Sequence, residues 1–154
     1  MSMKAPPAGW PRLSSALFYE NAQAAILWLQ SAFGFELQLK VDGPDGSVLH
    51  SQLIYGEALI MVGEGGSQRA PKFGVPCRSP RLQGGANTQS LMLYVDDVDA
   101  HCARARAAGA VIVAEPSLQD YGPDYWADRS YGATDLEGHF WWFSQRVREP
   151  GSKA

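Results

Sequence analysis

Tyr131-Gly-Ala-Thr-Asp-Leu-Glu-Gly-His-Phe-Trp-Trp-Phe143 is the stretch on which the fold turns. It reads as strand, tight turn, strand. Tyr131 to Thr134 is rich in strand formers, Asp135 to Gly138 supplies turn chemistry, and Phe140 to Phe143 is an aromatic strand. Successive strand residues point to opposite faces, so Trp141 and Trp142 cannot share a surface. One can fill a core. The other must meet a second apolar surface or a ligand.

Working outward, the same plan occurs twice. Ser14 to Tyr19 is a short apolar strand. Asn21 caps a helix reaching Phe33, with Ala25, Ile26, Leu29 and Phe33 at helical spacing, and Gly34 ends it. Phe35 to Val41 alternates like a half-buried strand. Gly43 to Gly46 is a turn, and Val48 to Tyr55 pairs with Ala58 to Val62 across Gly56-Glu57. In the second half, Thr88 to Val95 is a strand and Asp96 or Asp97 caps a helix to about Ala108, closed by Gly109. Val111 to Ala114 is a short strand, and Arg129 to Thr134 pairs with His139 to Ser144. Tyr19-Glu-Asn-Ala answers Val95-Asp-Asp-Val, and Ala32-Phe-Gly-Phe answers Ala108-Gly-Ala-Val. An internal repeat of this kind dictates the architecture. The expectation is an α+β fold of two tandem βαβββ modules, residues 13–63 and 88–145, forming a cup-shaped mixed sheet with helices outside. Residues 1–12 are an N-terminal tail, and 64–87 are a Gly/Pro-rich linker or lid in which Arg69, Lys72, Arg78 and Arg81 concentrate positive charge. Residues 146–154 are read as a flexible tail.

The bounds exclude several classes. At 154 residues the chain suits one compact domain or two small modules sharing a core. Thirteen basic against sixteen acidic residues give a net charge of −3, which argues against nucleic acid. No run is long and apolar enough to span a bilayer, and residues 1–11 lack an apolar signal core. Cys77 and Cys102 form no C-x-x-C or zinc pattern. A reduced, cytoplasmic setting is expected, with Cys102 as a small core residue.

The chain resembles the vicinal oxygen chelate superfamily, which includes glyoxalase I, extradiol dioxygenases and the fosfomycin- and bleomycin-resistance proteins. Phe18-Tyr-Glu-Asn with Trp28-Leu-Gln-Ser-Ala-Phe-Gly-Phe is similar to the family's first helix and its exit. Tyr94-Val-Asp-Asp-Val-Asp-Ala-His with Ala105-Arg-Ala-Ala-Gly-Ala is similar to the second. Asp135-Leu-Glu-Gly-His-Phe-Trp resembles the closing turn D-P-x-G-x-x-W, with Leu136 where proline is usual. The resemblance covers about Leu13 to Gln145. It implies a divalent metal held by His and Glu on the first and last strands of each module, with positions left open for substrate oxygens. Those positions fall here at Ser14, Met61, Ser90 and Trp142. None is a good ligand, and shifting the register by one rescues none, so no metal site is expected.

Alternation instead places Ser14, Ala16, Phe18, Leu59, Met61, Ser90, Met92, Tyr94, Phe140, Trp142 and Ser144 on one face. Such a wall suits a planar organic ligand. Candidate ligand-binding residues are Phe18, His50, Met61, Met92, Tyr94, Trp126 and Trp142. His50, with Gln52 and Glu64 nearby, is the candidate general base. His101 is expected at the surface and His139 bonded to backbone at the hairpin. Tyr121-Gly-Pro-Asp-Tyr-Trp126 reads either as an aromatic flap over a flat ligand or as a loop whose aromatics pin it to the body of the protein, with Asp128 and Arg129 as a pair beyond it.

Two functional classes follow. The resemblance implies a metal-free, homodimeric protein that sequesters a small hydrophobic or aromatic molecule, like the bleomycin-resistance branch. The alternative is a lyase, isomerase or dioxygenase with a displaced divalent metal or a His50-centred mechanism. A membrane or nucleic-acid partner is not expected.

Overall fold

The computed structural model describes residues 2–65, 71 and 73–151. The first module holds β1 (Ser15–Tyr19), α1 (Ala22–Phe33), β2 (Glu36–Asp42), β3 (Val48–Tyr55) and β4 (Ala58–Glu64). The second holds β5 (Ser90–Tyr94), α2 (Val98–Ala107), β6 (Val111–Asp120), β7 (Ala127–Thr134) and β8 (Phe140–Arg148). Their ladders form two four-stranded sheets, ordered β1-β4-β3-β2 and β5-β8-β7-β6. In each, the first strand runs parallel to the last, and the others pair antiparallel. This is the expected α+β fold of two βαβββ modules.

Local chemistry explains the elements. Asn21 accepts the Ala24 amide at the start of α1, and Asp97 accepts the Ala100 amide at the start of α2. Gly34, at φ 81°, adopts the left-handed turn that ends α1, which costs glycine no Cβ clash. Leu17, Tyr19, Leu53 and Val62 from the first sheet share one core with Tyr131, Ala133, Trp141 and Phe143 from the second. The two helices complete it, with Phe33 4.7 Å from Phe143 and 5.3 Å from Trp141 between ring centroids. Cys102 lies in this core as expected.

The closing turn joins the modules. Asp135 accepts from the Tyr19 hydroxyl at 2.6 Å and from Trp141 Nε1 at 3.1 Å. Its other oxygen accepts from the Glu137 and His139 amides. The Asp135 carboxylate thus holds the turn, with Leu136 where proline is usual. Buried Glu137 accepts from the Glu20 and Asn21 amides at 2.7 and 3.0 Å, beside the start of α1.

Several expectations are corrected. The Phe35–Val41 strand is not half-buried: Leu37, Leu39 and Val41 are each at least 40% exposed. It becomes β2, the outer edge of its sheet, with no strand beyond it among the described residues. The strand expected to stop at Ala114 continues to Asp120. Pro116 cannot donate to the ladder, but it falls at a register shift on an edge strand, where proline is tolerated. Nor is Arg146 part of a frayed tail. β8 runs to Arg148 because Arg146 pairs with Asp128 and Arg148 with Asp120, each at 2.6 Å. Arg129 pairs with Asp99 instead of Asp128.

His101 is also not at the surface. It is buried, with Nδ1 2.6 Å from the Tyr131 hydroxyl and Nε2 2.8 Å from the Phe33 carbonyl. The helix places it toward α1 because Val98, Cys102 and Ala105 share its buried face. The linker holds a short 3-10 turn, Pro80–Gln83, and Arg81 pairs with Glu20 and Glu137. Arg69 and Lys72 lie outside the described residues.

Candidate functional site

Strand pairing answers the question posed by the paired tryptophans. Trp141, 1% exposed, faces the shared core, whereas Trp142 lies on the opposite, partly open face. Trp142 pairs with Met92 on β5 and with Gly132 on β7. Gly132 matters here, since a Cβ at this position would lie 3.3 Å from the Trp142 ring. The missing side chain lets the indole lie close over β7.

A cleft of about 460 Å³ opens over this face. Met92, Tyr94, Trp126 and Trp142 form its apolar wall, while Asp128, Ser130 and Ser144 form its polar floor. The β6–β7 connection supplies the rim. Tyr121 and Trp126 are linked by an amide-to-carbonyl bond of 3.1 Å, and their rings lie 5.2 Å apart. Arg148 ties down the base of this flap through Asp120 and the Gly122 carbonyl.

The floor is electrostatically closed. Asp128 is 5% exposed and accepts from Arg146 Nε at 2.6 Å and from the Tyr94 hydroxyl at 3.0 Å. Arg146 also donates to the Tyr94 oxygen at 2.6 Å, and its guanidinium sits 5.4 and 5.5 Å from the Tyr94 and Trp126 ring centres. Burial and the Asp128 carboxylate raise the Tyr94 phenol above its ordinary value, so it stays a neutral donor. The Ser130 and Ser144 hydroxyls bond to each other at 2.8 Å. The cleft therefore offers ring faces and a thioether for stacking, with a few hydroxyls for orientation and no net charge.

Of the candidate residues, Met92, Tyr94, Trp126 and Trp142 come together in this cleft. Phe18, His50 and Met61 do not. They lie on the first sheet, where Ala16 pairs with Met61 and Gln52 pairs with Met61. His50 Nε2 is 2.8 Å from Gln52 Nε2, and Glu64 turns away to accept the Val48 amide. Asp128, Ser130 and Arg146 were not singled out as ligand-facing. Period-two alternation carries their signal, but Asp128 precedes the expected strand start at Arg129 and Arg146 follows the expected end at Ser144.

The four positions implied to hold a metal carry two hydroxyls, a thioether and an indole. These donors do not fit a divalent ion. Among the described residues, no group of three or more His, Cys, Asp or Glu side chains is placed to hold one. His139 Nε2 lies 2.8 Å from the Phe18 carbonyl, which can only accept, so that nitrogen carries the proton and is unavailable as a ligand.

Known proteins agree with this architecture. A family model for the Glyoxalase/Bleomycin resistance protein/Dioxygenase superfamily matches residues 13–143. Uncharacterized protein Mb0911c of Mycobacterium bovis is 34% identical over 139 residues, covering 90% of this chain and 86% of its own length. Uncharacterized protein Rv0887c of Mycobacterium tuberculosis is 34% identical over the same length, covering 76% of its own. Among solved structures, TioX from Micromonospora sp. ML1 superposes with a TM-score of 0.66 at 29% identity, covering 89% of this chain and 99% of TioX. TnmS3, described as an antibiotic binding protein from Streptomyces sp. CB03234, superposes with a TM-score of 0.61 at 18% identity, covering 87% of this chain and 93% of its own. With repeat, topology, closing turn and family match in agreement, the chain belongs to the glyoxalase/bleomycin resistance protein/dioxygenase superfamily.

Proposed function

We propose that this chain binds a flat, apolar or aromatic small molecule in the cleft over its second sheet, and holds it without a divalent ion and without changing it chemically. One observation carries the reading. Trp142, at the position where the resemblance implies the family's last acidic ligand, lines the cleft beside Met92, Tyr94 and Trp126. Stacking and apolar burial are the chemistry this wall can supply. The antibiotic binding ascribed to TnmS3, which shares the fold, is in keeping with sequestration of an organic molecule. Exposed Leu37, Leu39 and Val41 on β2 support action as a homodimer that covers this edge. Two free cysteines fit a reducing cytoplasm. The enzyme reading centred on His50 has less support, because His50 lies outside the cleft and its ring is engaged by Gln52.

The test is a fluorescence titration with a panel of small aromatic compounds, using protein dialysed against a chelator. Binding should persist without metal, and Trp142→Ala should weaken it by on the order of tenfold. Affinity that Trp142→Ala leaves unchanged, or that appears only when a divalent ion is restored, refutes the proposal.

A further inference from the structure

We propose that the aromatic cleft is one end of a longer groove, and that its ligand is elongated, with a flat head at Trp142 and an anionic tail at Arg78. This rests on the aromatic-binding reading above. Met92 lines this cleft and also a second hollow of about 500 Å³ at the seam between β1 and β5. There Gln89 Nε2 donates to Ser15 Oγ at 3.0 Å, joining the edges of the two sheets. Ala16 and Gln89 line both that hollow and a third, of about 340 Å³, roofed by the linker. The three hollows are thus neighbours in a row, each sharing lining residues with the next.

Their chemistry changes along the way. The first hollow has aromatic walls, and its one carboxylate, Asp128, is neutralised by Arg146. No charged residue lines the seam hollow. Arg78 is the one guanidinium lining the third, which has no Asp or Glu among its lining residues. Arg78 is exposed and has no acidic partner among the described residues, whereas nearby Arg81 is already held by Glu20 and Glu137. The third hollow has built walls. Asn87 bridges the Gly138 carbonyl at 2.9 Å and the Phe140 amide at 3.1 Å, and His139 is tied to Phe18. Gly65 lets the linker close in, since a Cβ there would meet the Cys77 carbonyl oxygen at 2.5 Å. Trp142 and Met92 are one strand spacing of about 4.8 Å apart, and the seam and the linker lie beyond Met92, so a long alkyl spacer is the probe that can reach Arg78.

The probes are dansylamide (a head alone), 11-(dansylamino)undecanoic acid, its methyl ester, and dansylglycine with its methyl ester. The long acid should bind roughly two- to fivefold tighter than its ester, the range expected for a partly exposed ion pair. Added salt should shrink that preference, and Arg78→Glu should abolish it. Dansylglycine, too short to reach, should bind no better than its ester. Equal binding of the long acid and its ester, a preference that survives Arg78→Glu, or the same preference in the short pair overturns the groove. Trp142-dependent binding of dansylamide would then still uphold the aromatic reading. If neither dansylamide nor any compound of the aromatic panel binds in a Trp142-dependent way, the aromatic reading fails, and the groove with it.

Discussion

Replacing His101 should destabilise the whole fold and change how stability depends on pH. His101 reaches from α2 to the last carbonyl of α1 and to the Tyr131 hydroxyl on β7. Helix ends leave such carbonyls without partners, so this imidazole caps one module from the other. His101→Ala leaves two buried groups unpaired, the Phe33 carbonyl and a Tyr131 hydroxyl whose residue is 0% exposed. Each orphan costs about 1–3 kcal/mol, and ring contact with Phe143 at 4.4 Å is lost as well. The expected loss is about 3–5 kcal/mol. Burial is the main cause that holds this imidazole below its ordinary value, opposed by the bond to the Phe33 carbonyl. The unfolded chain therefore takes up a proton at a pH where the folded one does not. Stability from this group is full above about pH 6.5 and falls as pH drops below it, by at most about 1.4 kcal/mol per pH unit, until the folded value is passed. Urea denaturation followed by circular dichroism across this range should show the fall in the native protein. His101→Gln retains a donor and an acceptor but does not titrate, and it should lose that component. His50 and His139 are common to both proteins and cancel. Parallel losses of stability for the two proteins from about pH 7 to 5.5 would refute the assignment.

The paired tryptophans should separate cleanly. Trp141→Ala should cost about 3–5 kcal/mol in urea unfolding, because it empties a fully buried site and removes a donor from Asp135. Trp142→Ala should cost about 1–2 kcal/mol while weakening aromatic ligands; equal costs would contradict the face assignment. Glu137→Ala strips the carboxylate from the Glu20 and Asn21 amides at the start of α1. Its thermal unfolding should reflect a loss of about 1–2 kcal/mol, and an unchanged midpoint would show that this cap contributes nothing.

Much of the fold was legible because its signals are local. Helix caps at Asn21 and Asp97, the αL glycine at Gly34 and the turn at Asp135 to Gly138 are written in neighbouring residues. Misreadings came where a local signal met a long-range fact. Pro116 cannot donate to a ladder but sits on an edge, where a register shift absorbs it. Arg146 looks like tail until Asp128, 18 residues earlier, is placed opposite it. His101 looks like a surface residue until the second helix is packed on the first.

Alternation along one strand requires that Trp141 and Trp142 part company, and Ser14, Met61, Ser90 and Trp142 differ in type from the metal ligands that the family resemblance implies. These properties belong to the sequence. Which tryptophan faces the core, which aromatic residues share its neighbour's cleft, and that Phe18, His50 and Met61 lie elsewhere were decided by pairing between distant strands. The strand period says that two faces differ. Only burial of one face against the helices says which of them remains open to a ligand.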